Sequence, residues 1–408
     1  MGSTEAMKIL HTSDWHLGRT LCGRKRTREF EEFLDWLLMA LREHGVDVLL
    51  VAGDVFDGPA PSARTQELYY RFLCRAAGSL CRHVVVVGGN HDSPSFLNAP
   101  KEILRSMNVR VVGAVTNKAE DELLTLDGPD GVPELLVCAV PYLRDRDVRS
   151  FEPGESVEDK DRKLTLGIER HYAEIGHLAE ERRAALAAKG RRVPIVATGH
   201  LFATGGRTDE GVRELYVGSL ARVDAGRFPA CFDYLALGHL HSSQKVGNVA
   251  RYSGAPLPMS PGEGRGKSVL LVEFDELPPR VTELPVPVFQ EMERVTGDMD
   301  ALEARLGELR ARGSDAWVEV VYEGSPVPDL RRRVAALTEG SGLEILRVRV
   351  VRSSDSAPGM WDGREELGEL DVSDVFSRCL EARKVPERER PILLATYMEV
   401  LEALRARE

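Results

Sequence analysis

Short apolar, β-branched runs recur along the chain at 8–12, 46–52, 83–87, 109–112, 135–140, 193–198, 234–237 and 268–274. Their apolar, β-branched character reads as strands. Between the first two, the period lengthens: Phe30, Phe33, Leu34, Leu37, Leu38 and Leu41 repeat at helical spacing, and Gly45 stands where it would close the helix. Strands alternating with helices predict an α/β fold. A charged helical stretch at 168–190 is expected as a surface insertion before the next strand. The pattern turns proline-rich at 276–287. Beyond it, a helix (299–312), a strand (317–322), a helix (329–338) and a long strand (343–351) predict a small α+β domain. Polar residues 354–370 read as a linker, and helices at 371–384 and 387–407 close the chain. Val372, Val375, Phe376 and Leu380 form an apolar stripe on the first of these, which suggests a covering partner. The expected divisions are therefore 7–278, 288–353, the linker 354–370, and 371–408. No internal repeat interrupts this order.

Composition narrows the class. With 408 residues, 43% hydrophobic and 29% charged, the chain exceeds one ordinary core and has the balance of a soluble protein. No apolar run reaches the roughly 20 residues a bilayer span requires, and the first residues lack the pattern of a signal peptide, so a cytoplasmic protein is expected. The six cysteines, Cys22, Cys74, Cys81, Cys138, Cys231 and Cys379, show no metal-like spacing and several sit in apolar runs, so they read as packed thiols. The net charge of -11 excludes a generally basic surface; any nucleic-acid contact must come from local features and bound metal.

Five short motifs stand just past apolar strands: Asp14-Trp15-His16, Gly53-Asp54, Gly89-Asn90-His91-Asp92, Gly199-His200 and Gly238-His239-Leu240-His241. Singly each is weak, but together they gather half of the ten histidines with Asp14, Asp54 and Asn90, beside glycines that keep the backbone out of the way. Imidazole with carboxylate suits divalent manganese, iron or zinc, and one central carboxylate can bridge two ions; Asp54 is the natural bridge. Residues two apart on an extended segment point the same way, so DxH and HxH each offer two side chains to one cavity. Two divalent ions against two ligand aspartates leave a centre near +2, which attracts a phosphate on an acidic protein. It can also activate a water as the attacking group. Neither a GxSxG nor a Cys-His arrangement offers a nucleophilic side chain.

HTSDWHLG, VAGDVFD, GGNHDS, ATGHL and LGHLH resemble, in order and spacing, the five phosphoesterase motifs of the SbcD nucleases, a family of the calcineurin-like metallophosphoesterases. ARYSGAPLPMS, the late α+β segment and LDVSDVF extend the resemblance over nearly the whole chain. It implies a four-layer metallophosphoesterase sandwich, a smaller α+β capping domain and C-terminal helices. It also implies a metal-dependent DNA exonuclease and endonuclease acting on double-strand ends and hairpins. By motif, Asp14, His16, Asp54 and His241 would hold one metal ion, and Asp54, Asn90, His200 and His239 the other, manganese ahead of magnesium. His91 would stand free to contact the scissile phosphate and help protonate the leaving oxygen. Asp57, where other relatives carry a second histidine, would orient or charge-tune His91. Asp92 reads as support for its loop.

The loop after the first ligand pair carries Arg19, Arg24, Lys25, Arg26 and Arg28, placed to grip backbone phosphates flanking the scissile one. Arg331, Arg332, Arg333, Arg347 and Arg349 offer a second such surface. Residues 261–268 look like a P-loop, but Pro261 replaces its first glycine and the stretch precedes a strand instead of following one, so ATP is not expected to bind there. ATP use would belong to the partner the resemblance implies, an SbcC-like SMC-type ATPase gripped by 371–380 and 396–404. The family resemblance further implies a homodimer, through 67–73 or 98–104, and a nucleoid-associated location. Two readings compete: another calcineurin-like phosphodiesterase acting on small substrates, and a non-catalytic DNA-end-binding scaffold.

Overall fold

The computed structural model describes residues 7–150, 155–204, 222–263, 266–324 and 327–351, together with isolated helical positions at Leu380, Arg390, Leu393 and Tyr397. Apart from those positions, the C-terminal helices expected at 371–384 and 387–407 lie outside the described residues, as does the linker.

Two six-stranded sheets carry the first part of the chain. The first runs in the order Arg280–Pro285, Ser268–Glu273, Lys8–Thr12, Val48–Ala52, His83–Val87, Val109–Val112. Its last four strands are parallel, and Ser268–Glu273 and Arg280–Pro285 add antiparallel at the edge. The second sheet runs Gln244–Val246, Ala250–Tyr252, Tyr234–Gly238, Ile195–His200, Pro133–Cys138, Leu123–Asp127. Ile9, Val48, Leu50, Val85, Val87, Leu135, Val137, Val196, Ala236 and Val272 form one cluster from both sheets, so the inner faces pack on each other. Helices Thr27–Glu43 and Ala63–Ala77 cover the outer face of the first sheet, with Phe30, Phe33, Leu37, Leu41, Tyr69 and Phe72 buried. The helix Val157–Ala187 covers the second through Ile168, Tyr172, Ile175 and Ala179. The result is the four-layer α/β/β/α sandwich, and burial of each such large apolar side chain contributes about 1.5–3 kcal/mol.

Elements with strong periodicity fall where expected: the first helix ends at Glu43, with Gly45 at φ +61° just beyond it. The helix expected at 168–190 as an insertion instead begins at Val157, where the Ser156 side chain caps it by accepting from the Asp159 N–H at 3.1 Å. It is a layer of the sandwich, because Ile168, Tyr172, Ile175 and Ala179 give it an apolar face that the flanking charges masked. Among the strands that went unforeseen are four at the margins of the two large sheets: Leu123–Asp127, Gln244–Val246, Ala250–Tyr252 and Arg280–Pro285. They are short or half-exposed and lack a continuous apolar run.

Further on, strands Met292–Gly297, Trp317–Glu323 and Glu344–Val351 form a three-stranded sheet in that order, with helices Met299–Ala311 and Leu330–Thr338 between them. Spatial proximity groups 307–319 and 338–347 with the residues up to Arg294, and makes a second unit of 295–306 and 320–337 with the residues from 348 onward.

Candidate metal centre

The predicted site residues stand where the strands of both sheets end. Lys8–Thr12 runs into Asp14 and His16, and Val48–Ala52 into Asp54. The two loops brace each other: Asp14 N–H donates to Gly53 O at 3.0 Å, His16 N–H to Asp54 O at 3.0 Å, and Leu17 N–H to Val55 O at 2.9 Å. Trp15, between two ligand-type residues, points the other way and is fully buried. Its ring meets Phe33 and Phe72 edge-on at 5.9 and 5.4 Å, and its indole N–H donates to Thr12 Oγ1 at 3.0 Å. Such aromatic pairs add about 0.5–1.5 kcal/mol each, so the hydrophobic core fixes the direction in which Asp14 and His16 face. Asp14, His16, Asp54 and His239 all adopt positive φ, at 53°, 46°, 51° and 102°. For residues with a Cβ this is a strained backbone, held by the surrounding hydrogen bonds, and strain of this kind concentrates at functional sites.

The second sheet delivers the remaining side chains. His200, at the end of Ile195–His200, donates from Nδ1 to Ala52 O on the first sheet at 3.0 Å. Its Nε2 faces Asn90 Oδ1 at 2.9 Å and Asp54 Oδ2 at 3.2 Å. The His239 N–H donates to both carboxylate oxygens of Asp14, at 2.9 and 3.1 Å, and His239 Nδ1 lies 3.3 Å from Asn90 Oδ1. Ligand atoms of Asp14, His16 and His241 lie within 4.8 Å of one another, as do those of Asp14, Asp54 and His200, and of His16, Asp57 and His91. Gly89 and Gly238 permit this closeness. A Cβ on Gly89 would stand 2.1 Å from Asp54 Oδ1, and one on Gly238 2.0 Å from Ala52 O. Gly238→Ala therefore drives the two sheets apart at a main-chain atom. Urea unfolding is expected to show a loss of about 1–3 kcal/mol or more, together with weakened metal binding.

The electrostatics are those of a cluster built around positive charge. Burial would raise the Asp54 carboxyl, but His200 and then His16 outweigh it and hold it far below the usual carboxylate range. His200 is its counterpart: burial pulls the imidazole down, yet Asp54 pushes it up to about 9. A proton on His200 Nε2 thus supplies the positive charge that a bound cation would bring. His239 stays well below the ordinary histidine value, through burial and the neighbouring His200. His16 is buried, its titration also lowered by burial, and neither ring nitrogen has a hydrogen bond; Nε2 faces Asp54 Oδ2 at 3.7 Å and Nδ1 faces Asp57 Oδ1 at 3.5 Å. Orphaned buried imidazole nitrogens beside carboxylates are the donor set a divalent cation completes, so the residues fit the metal centre expected of them.

A calcineurin-like phosphoesterase family model matches residues 7–243, and one described as the type 5 capsule protein repressor C-terminal domain, SbcD_C, matches 288–384. The SbcD subunit of the SbcCD nuclease of Escherichia coli K12 is 35% identical over 409 residues, covering 98% of each chain. The chain belongs to the SbcD family of calcineurin-like phosphoesterases. SbcD proteins of Rhodobacter capsulatus (32% identity; 86% of this chain, 89% of the relative) and Bacillus subtilis (33%; 65% and 66%) are also similar. Among solved structures, a β-glucosidase from Exiguobacterium marinum aligns over 85% of this chain and 89% of its own at 10% identity and a TM-score of 0.23, too slight a likeness to bear on the fold. The phosphoesterase fold implies divalent metal ions. No helix among the described residues is long and apolar enough to cross a membrane.

His91 sits beside the cluster. Its main-chain N–H donates to Asp54 Oδ1 at 2.9 Å and its ring meets His16 at 4.9 Å between centroids. Asp57 meets it differently from expectation: the Asp57 main-chain carbonyl accepts from His91 Nδ1 at 3.0 Å, while the carboxylate faces His16 and pairs with Arg19 at 3.0 Å. Burial would raise that carboxyl, but His16 and Arg19 hold it lower than usual. Asp92 is buried and accepts from the N–H groups of Gly89, Phe56 and Val55 at 2.8, 3.0 and 3.1 Å, so it ties the Asp54 loop to the His91 loop. Burial and Asp54 push it up to about 6.

The basic loop needs correction. Arg26, placed among the DNA contacts, is 2% exposed. Its guanidinium pairs with both oxygens of Glu29, at 2.9 and 2.7 Å, and donates to Pro258 O at 2.7 Å, so it is a structural tie and cannot reach a solvent-borne phosphate. Arg19 is largely buried by its Asp57 pair. Arg24, paired with Glu344, Lys25 and Arg28, paired with Glu32 at 2.8 Å, are exposed. Sequence reasoning missed Ser13, which donates to Asp14 and meets Ser253 Oγ at 2.8 Å, and Glu263 with Lys267, which stand behind His241.

Proposed function

We propose that this chain is a metal-dependent nuclease that hydrolyses phosphodiesters of DNA, as a double-strand exonuclease and a hairpin or single-strand endonuclease, together with an SbcC-like SMC-type ATPase. The observation that carries the reading is the convergence of Asp14, His16, Asp54, Asn90, His200, His239 and His241 from five strand-end loops on one buried spot, with His91 at its edge. Two divalent ions, manganese ahead of magnesium, would be held by Asp14, His16, Asp54 and His241 and by Asp54, Asn90, His200 and His239. When bound, they clamp a phosphate and lower the pKa of an attacking water. Asp54 then stands between the two sets. His91, its Nδ1–H held by the Asp57 carbonyl, would act as the imidazolium: it presents its Nε2–H to the leaving oxygen, gives up that proton and is left as the neutral Nδ1–H tautomer. The Asp57 carboxylate orients the loop through His16 and Arg19. Arg24, Lys25 and Arg28 meet phosphates flanking the scissile one.

In this reading residues 7–278 are the nuclease domain, 288–353 a capping domain, 354–370 a linker, and 371–408 the helices that bind the ATPase. Residues 67–73 or 98–104 pair two copies. The protein works in the cytoplasm on the nucleoid. The relatives are named as the SbcD part of the SbcCD nuclease, which supports the DNA substrate and the partner. The test is cleavage of end-labelled duplex and hairpin DNA by the full chain with its ATPase partner and ATP. Cleavage is expected with manganese and is expected to vanish with EDTA. Hydrolysis of bis-nitrophenyl phosphate without any DNA cleavage would leave only a small-substrate phosphodiesterase, and no hydrolysis at all a DNA-end-binding scaffold.

A further inference from the structure

Two of the predicted ligand histidines have a carboxylate behind the ring, and each carboxylate is backed in turn by a cation. For His16 these are Asp57 and Arg19. For His241 they come from the stretch 261–268, whose glycines and lysine mimic a phosphate loop. The Glu263 side chain is 4% exposed and uses one carboxylate oxygen fully: Oε2 accepts from the Met259 N–H at 2.9 Å and from Lys267 Nζ at 2.6 Å. The other, Oε1, is buried without a hydrogen bond, and so is His241 Nδ1. The two face each other at 3.9 Å. Lys267 also donates to the main-chain carbonyl of His241 at 3.2 Å, so the pair grips this residue at both ends. Two orphaned buried polar atoms of complementary type, each opposite the other, cost stability unless they are brought together. A small rotation of the imidazole joins them.

We infer that Glu263 is a positioning residue for the metal centre: it accepts the Nδ1–H of His241, which fixes the ring's tautomer and direction and leaves Nε2 unprotonated for a divalent cation. Lys267 keeps Glu263 charged and anchors it to the His241 main chain. By contrast His200 is held through the Ala52 carbonyl, a neutral acceptor. The two halves of the centre therefore differ in electron donation: carboxylate-backed imidazoles are the more basic ligands, so the ion held by His16 and His241 is the tighter bound. The inference rests on the reading of His241 as a ligand.

Glu263→Gln provides the test. A glutamine can still accept from the Met259 N–H, but its amide presents N–H groups to His241 and favours the tautomer whose Nε2 carries the proton. Manganese binding to the full chain, followed by calorimetry and by the electron paramagnetic resonance of free ion, is expected to show two sites in the wild type. In Glu263→Gln the tighter of the two should weaken about 10- to 100-fold, with the other unchanged. Circular dichroism checks that the metal-free variant remains folded. Two sites of unchanged affinity in a folded Glu263→Gln overturn the inference and leave the metal centre standing. A wild type that binds no manganese overturns the reading of the centre itself. If the variant does not fold, nitrogen-15 spectra of the zinc-loaded wild type decide: a proton on His241 Nδ1 supports the inference, and one on Nε2 overturns it.

Discussion

Asp54→Ala is expected to lower DNA hydrolysis by more than about a thousandfold and to abolish stoichiometric manganese binding. The carboxylate faces His200 at 3.2 Å and His16 at 3.7 Å and accepts from the His91 N–H at 2.9 Å, so it touches both proposed ligand sets and the proposed acid. Divalent cations held by these residues would offset several kcal/mol of transition-state charge, and each 1.36 kcal/mol is tenfold in rate, so losing the residue common to both sets would remove at least three decades. Asp54→Asn separates charge from shape: it keeps an acceptor for the His91 N–H and loses only the negative charge. Inductively coupled plasma mass spectrometry on dialysed protein, beside the cleavage assay, checks both. An Asp54→Asn variant that retained two ions and near-normal turnover would remove Asp54 from the bridging role.

For His91→Ala, a different loss is expected. The main chain at residue 91 still donates to Asp54, so metal affinity should be unchanged while DNA cleavage falls about 10²- to 10⁴-fold, the usual range for a positioned proton donor. The leaving group distinguishes the role. A DNA alkoxide needs a proton as it departs, whereas nitrophenolate does not, so the loss with bis-nitrophenyl phosphate should be at least tenfold smaller. Equal losses on both substrates would mean that His91 positions the phosphate and does not protonate the leaving oxygen.

The α/β class and the inner strands were legible because Val48–Ala52 and His83–Val87 are continuous apolar runs, which only burial on both faces explains. The peripheral strands were not, since Arg280–Pro285 alternates exposed and half-buried positions in a proline-rich stretch. For the site, the five motifs sufficed to collect the ligand-type residues, because each lies next to the end of a strand and brings its glycine. Individual roles for neighbouring charges were less legible. Arg26 reads like Arg24 and Lys25 in a basic run, yet Glu29 three residues on captures it once the helix from Thr27 forms. Asp57 reaches His91 through its main chain, an interaction no residue type announces. Glu263 belongs to no strand-end motif, and its four-residue spacing to Lys267 was the only available signal.

The His200 bond to Ala52 and the His239 bond to Asp14 both run from one sheet to the other. The first sheet supplies Asp14, His16, Asp54 and Asn90, and the second supplies His200, His239 and His241, which come late in the chain. A chain still leaving the ribosome, or one with its sheets undocked, thus holds only part of the centre. Cutting competence arrives only when the sandwich has closed, so a half-made copy of this protein is harmless to the nucleic acid around it.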